Sequence, residues 1–141
     1  MKGMMPMKNH EVRLPKFYIC PVCGNIIEMI RCSGMKPVCC GKEMQLLVAG
    51  SIDAAKEKHV PEITRDGCTV TVKVGSEPHP MADTHHISWI ALVTNEGIMR
   101  KYLCTTQNAC AKFHVGENEC VIAAYAYCNL HGLWSAMCKK E

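Results

Sequence analysis

The chain has 141 residues, room for one domain of about 100 residues and a second, much smaller one. Sixteen basic and thirteen acidic side chains leave a net charge of +3, and the basic residues are scattered, which argues against a nucleic-acid partner. No apolar run approaches the ~18 residues of a membrane span, and eleven cysteines, an odd number, fit a reducing cytoplasmic setting better than a secreted disulfide framework.

Residues 1–16 are rich in methionine but broken by Lys2, Pro6, Lys8, Glu11 and Arg13, so no signal peptide is expected and residues 1–14 read as a flexible extension. Residues 15–49 form a compact unit with two short apolar stretches, Ile26-Ile27-Glu28-Met29-Ile30 and Gln45-Leu46-Leu47-Val48, flanked by cysteine pairs. A unit of about 40 residues buries little apolar surface and needs a metal or disulfides to fold. A polar connection follows, with one helical turn expected through Asp53-Ala54-Ala55-Lys56.

Residues 50–141 make the second domain. Thr69-Val70-Thr71-Val72-Lys73-Val74 alternates with the period of a half-buried strand. Residues 87–94 are apolar on both faces and end at Asn95-Glu96-Gly97, a hairpin signal leading into a strand over 98–104. Residues 121–127 are a further β-suited run, and no segment has a long amphipathic helical period. The chain is therefore mainly β, and its larger domain is expected to be an antiparallel sandwich.

Two constellations carry chemistry. Cys20-Pro21-Val22-Cys23-Gly24 is a chelating turn, and Cys39-Cys40-Gly41 supplies a second thiolate pair, which completes a tetrahedral set. Iron and structural zinc both suit four thiolates. The side chains of neighbours diverge, so Cys39 and Cys40 on one ion imply a distorted tetrahedron, a feature that suits redox tuning. A saturated set of this kind can pass electrons but offers no position to a substrate.

The second constellation is His59, His79, His85 and the pair Cys128 and His131, three residues apart in Tyr127-Cys128-Asn129-Leu130-His131-Gly132. A single histidine beside a strand end is more often a surface or hydrogen-bonded group than a ligand. Four of them in loops flanked by Pro and Gly, together with a cysteine, make a stronger case. Zinc favours four ligands, whereas four imidazoles and one thiolate suit an octahedral ion with one vacancy, iron above all.

From about residue 17 to residue 134 the chain resembles desulfoferrodoxin, the two-iron class of superoxide reductase. The resemblance rests on Cys20-x-x-Cys23 with Cys39-Cys40, Ala55-Lys56-Glu57-Lys58-His59-Val60-Pro61, Val74-Gly75-Ser76 followed by His79-Pro80-Met81, then His85, Trp89-Ile90 and the Tyr127 to Gly132 run. It implies a desulforedoxin-like iron-binding domain, an immunoglobulin-like catalytic sandwich and a homodimer. It also implies two mononuclear irons per chain. One is a four-thiolate iron on Cys20, Cys23, Cys39 and Cys40. The other is held by the four imidazoles of His59, His79, His85 and His131, with Cys128 as axial thiolate.

The activity implied is one-electron reduction of superoxide to hydrogen peroxide in oxidative-stress defence, fed by a donor such as rubredoxin. Lys58 would attract the anion, and Glu57 would occupy the vacant position in the oxidised enzyme. Family members without the first iron exist. A non-catalytic iron electron carrier and a zinc-stabilised binding module are the alternatives. Cys32, Cys68, Cys104, Cys110, Cys120 and Cys138 are read as buried or incidental thiols, and His10, His86 and His114 as surplus histidines. The position of His86 is often aromatic in the family, which makes it a departure near the site.

Overall fold

The structure, a computed structural model, describes residues 13–138. Most of the expected N-terminal extension, with His10, lies outside the described residues. The chain divides into two compact units, Met1–Leu46 and Leu47–Glu141.

In the first unit β1 (Phe17–Ile19) lies between β2 (Ile26–Glu28) and β5 (Gln45–Leu46), antiparallel to both. A second ribbon pairs β3 (Val38–Cys39) with β4 (Lys42–Glu43). Tyr18, Cys20 and Met44 form a small core, with Met29 and Cys39 packed on it. Two of those five residues are thiols of the first constellation, so the unit's small interior and its metal-ligand set overlap. Around them Val22, Ile30, Met35 and Val38 remain exposed, as expected of a unit too small to bury its apolar residues.

The second unit opens with one helical turn, α1 (Lys56–His59), and continues through β6 (Pro61–Asp66), β7 (Thr69–Val74), β8 (Ile87–Thr94), β9 (Gly97–Tyr102), β10 (Cys110–His114), β11 (Val121–Cys128) and β12 (Gly132–Met137). Two antiparallel sheets result, one ordered β10-β7-β6 and the other β12-β11-β8-β9. Between them Val70, Val72, Val74 and Phe113 meet Ile87, Ile90, Leu92, Ala124, Ala126 and Cys128. Each fully buried Ile or Leu of this layer contributes about 1.5–3 kcal/mol. The fold is mainly β, with a β-sandwich as its larger part.

Two expectations need correction. The helical turn begins at Lys56, not Asp53, so it carries Glu57, Lys58 and His59 itself. The surplus thiols are not core residues: Cys32, Cys68, Cys104 and Cys120 are exposed, and Cys110 and Cys138 half-buried. β6, β10 and β12 are strands that the sequence reading does not single out. β6 carries Glu62 and Asp66 at its outer positions but also the charged Arg65 on its half-buried face, which hides its alternation.

Candidate metal centres

The four thiol sulfurs of Cys20, Cys23, Cys39 and Cys40 lie within 4.8 Å of one another. The first pair comes from a tight turn, closed by the Gly24 N–H on Cys20 O at 3.1 Å and the Cys20 N–H on Asn25 O at 2.8 Å. The N–H groups of Val22 and Cys23 donate to Cys20 Sγ at 3.3 and 3.4 Å. These bonds, Cys23's foremost, hold the Cys20 thiol down to about 6, whereas Cys40, crowded by the other three thiols, is pushed up to about 12. The Cys20 sulfur is thus ready as thiolate, and Cys39 and Cys40 give up their protons when a cation arrives.

The second pair solves the problem of adjacent ligands. Cys40 and Gly41 form a two-residue hairpin loop between β3 and β4, with φ of 53° and 73°. Two positive φ values match the twist of antiparallel strands, and the second is free of strain because it falls on glycine. Cys39 projects from the strand end and Cys40 from the left-handed turn, so their sulfurs come to 4.0 Å instead of diverging. Holding Cys40 in that region costs roughly 1 kcal/mol, against which the metal–sulfur bond is large.

In the second unit the ligating atoms of His59, His79, His85 and Cys128 lie within 4.8 Å of one another. His131 joins them: its Nδ1 is 3.1 Å from His59 Nε2 and 3.9 Å from Cys128 Sγ. His59 comes from α1, His79 and His85 from the connection between β7 and β8, Cys128 from the end of β11 and His131 from the turn into β12. His59 and His79 are buried and Cys128 is fully so.

The ring orientations are fixed from behind. His59 Nδ1 lies 2.7 Å from Ala55 O and His79 Nδ1 2.7 Å from Pro80 O, so each Nδ1 carries the proton and donates. Both Nε2 atoms then face inward as lone pairs, 3.2 Å apart. Two lone pairs at that distance repel unless a cation lies between the rings' donor edges. His85 Nε2 is a buried nitrogen with no hydrogen-bond partner, aimed into the same cluster. Burial, reinforced by the neighbouring imidazoles, pushes His79 down to about 4 from an ordinary 6.5 and His85 in the same direction. His79 is therefore neutral and ligand-ready at physiological pH, His85 is biased the same way, and the donors of the set fit a metal ion.

The remaining expected residues sit at the rim. Glu57 and Lys58 are exposed on α1. Lys58's charge acts on His85, lowering its affinity for a proton, which puts an ammonium within electrostatic reach of the cluster. The turn that carries them is locked down: Glu57 O accepts from the Glu77 N–H at 3.0 Å and from Ser76 Oγ–H at 3.3 Å. Gly75, at φ 85°, makes that approach possible, since a Cβ there would meet Glu77 O at 2.5 Å and Glu57 O at 2.7 Å. His86 and His114 stay out of the metal-ligand set.

Sequence reasoning missed the supports. Trp134 stacks on His59 with ring centroids 4.9 Å apart and donates its Nε1–H to His131 O at 3.0 Å. The fixed spacing of Trp134 three residues after His131 was the available signal. Asn129, inside the Cys128–His131 loop, was visible only as a spacer.

A small β unit with a four-thiolate cradle, followed by a β-sandwich bearing four imidazoles and a thiolate at one end, defines a protein with two mononuclear metal centres. Comparison with known proteins identifies the group. Residues 51–137 match the model of the Desulfoferrodoxin family, and residues 13–47 that of the Desulfoferrodoxin N-terminal domain. The chain belongs to the desulfoferrodoxin family.

It is 44% identical over 119 residues to a desulfoferrodoxin homolog of Archaeoglobus fulgidus, covering 84% of this chain and 94% of that one. With a desulfoferrodoxin of Nitratidesulfovibrio vulgaris it shares 42% over 121 residues, 86% of this chain and 94% of the relative. Among solved structures it is similar to the superoxide reductase from Treponema pallidum, with a TM-score of 0.75, 35% identity, and coverage of 88% of this chain and 99% of that one. The two donor sets match two iron sites per chain, one of four thiolates and one of four imidazoles with a single thiolate.

Proposed function

We propose that this chain is a superoxide reductase, taking superoxide, one electron and two protons to hydrogen peroxide as a defence against oxidative stress. The observation that carries the reading is the convergence of His59, His79, His85, His131 and Cys128 on one point, beneath an exposed cationic turn. Iron held by these five groups supplies a one-electron couple and an exchangeable coordination position.

The protein's own residues do the rest. Lys58 draws the superoxide anion toward the cluster, and because it is exposed its contribution is to encounter rate. Glu57, next to it, is the carboxylate that would close the open side of the cluster once product has left. Cys128, fully buried, would hold the iron by its sulfur and lend it electron density out of reach of solvent. The carbonyls of Ala55 and Pro80 keep two imidazoles in the ligating tautomer throughout turnover. Both protons come from water reaching the open rim.

Cys20, Cys23, Cys39 and Cys40 saturate their ion and leave no place for substrate, which suits them to relaying electrons from a donor such as rubredoxin. We place the protein in the cytoplasm, in keeping with its free thiols and with the absence, among the described residues, of a helix long and apolar enough to cross a membrane. Pairing into a homodimer is carried over from the family resemblance alone.

Product stoichiometry tests the reading. Iron-loaded protein, kept reduced by an electron donor and given superoxide, should release one peroxide per superoxide and no dioxygen. Dioxygen alongside peroxide would show a dismutase, and no accelerated loss of superoxide would leave a plain electron carrier. Stoichiometric zinc in both sites of the purified protein would overturn any redox role.

A further inference from the structure

Asn129 lies between two of the grouped residues in sequence, yet its side chain serves a different loop. Its Oδ1 accepts from the His86 N–H at 2.8 Å, and its Nδ2–H donates to Thr84 O at 3.0 Å. Its own N–H donates to His86 O at 3.1 Å. All three bonds land on residues flanking His85. That short loop is closed on itself by the reciprocal Ala82–His85 backbone pair, 2.9 and 3.1 Å, and by the His86 ring Nδ1–H on Ala82 O at 2.9 Å.

The register shows why an amide is needed. Cys128 pairs with Ile87, and the next step of an antiparallel ladder would have Asn129 and His86 exchange two backbone bonds. One of these forms normally. In the other the side-chain oxygen stands where the backbone oxygen would be, so the main chain is free to leave the strand and turn through Leu130 to bring His131 back beside Cys128. The remaining amide hydrogens reach across to Thr84 and hold the loop that carries His85. A register shift between Tyr127 and Cys128 precedes this step, opposite Ser88, and keeps Cys128 facing the core side with Ile87.

We infer that Asn129 is a positioning residue that fixes the loop of His85 against the loop of Cys128 and His131, and so sets the spacing between the thiolate and imidazole ligands of the second centre. The inference rests on the reading of these groups as one metal site. Alanine removes both side-chain bonds. Aspartate keeps the acceptor for His86 but sets an oxygen against Thr84 O. Asn129 is exposed, so neither change leaves a buried orphan.

Full-length metal-free protein titrated with Co²⁺ tests this. Four-thiolate and imidazole-rich cobalt differ in ligand-field intensity, so the two centres are read separately. Asn129→Ala should weaken cobalt binding at the second centre by about tenfold, the low end for loss of a group that orients ligands. It should also shift the thiolate-to-cobalt charge-transfer band there and leave the four-thiolate centre unchanged. Asn129→Asp should fall between the variant and the natural protein. Natural affinity and band position in both variants would overturn the inference, as would a parallel loss at both centres tracking a fall in thermal stability. If Asn129→Ala does not fold, Asn129→Asp decides: a natural band overturns the inference and a shifted band supports it. Failure of the unaltered chain to give a thiolate–cobalt band at the second centre would bring down the site reading itself.

Discussion

Cys128 and Lys58 stand at opposite limits of burial, and their substitutions should report different steps. Cys128→Ser keeps the volume but offers a poor ligand in place of a buried thiolate. Iron affinity should fall by more than the ~10–100-fold typical of losing an outer-shell partner, and the sulfur-to-iron absorption band should vanish. Lys58→Ala should leave that band intact, lower the second-order rate with superoxide by about tenfold and flatten its dependence on ionic strength. An unchanged salt dependence would refute the steering role. Histidine burial adds a pH effect on the metal-free protein. Below an ordinary pKa of 6.5 the unfolded chain takes up a proton that folded His79 declines until about 4. Stability should therefore be flat above neutrality and fall as pH drops through that window, which thermal melts at a series of pH values would show. The nine expected ligands were legible because chelation needs specific side chains at short spacings. The carbonyls of Ala55 and Pro80 and the stacking of Trp134 were not legible, because any residue offers a carbonyl and stacking depends on tertiary placement.

Among elements, α1 shows how little helix is needed to present a site. Its four residues have no side-chain cap, and a lone turn of this length would not persist in water. Packing of Glu57 O onto the 75–77 turn holds it instead. Gly75→Ala would force a methyl into two carbonyl oxygens at under 3 Å in a left-handed backbone. It should destabilise the second unit by about 2 kcal/mol or more and loosen Lys58 and His59 together, visible as lower iron affinity and a slower superoxide reaction. Strand legibility followed burial pattern. β7 alternates cleanly and β8 is buried along nearly its whole length, so composition revealed both. β6 and β12 mix charged, small and aromatic residues because they border the site or the rim. Their sequences serve contacts that a period of two does not report.

For the whole molecule, the two units should lose their metals independently. The sandwich has a core of thirteen buried residues separate from its ligands, apart from Cys128. The first unit has four buried apolar residues among those described, Phe17, Tyr18, Cys20 and Met44, one of them a ligand. Replacing Cys20 and Cys23 together by serine should therefore melt the small unit, read as loss of its amide protection in hydrogen exchange. The thermal transition of the sandwich and the absorption of its iron should survive. A collapse of both would show that the four-thiolate ion is required by the entire chain.

The turn at Cys40 and Gly41 has a consequence for assembly. Each thiolate pair of the first unit is delivered by a loop closed within a handful of residues, one at 20–24 and the other at 38–43. An arriving ion thus finds two ready-made pincers and has only to clasp them across the fifteen residues between Cys23 and Cys39. Its departure should run the same course backwards: a chelator prises one claw loose first, leaving a two-coordinate, air-sensitive halfway species before the ion is lost.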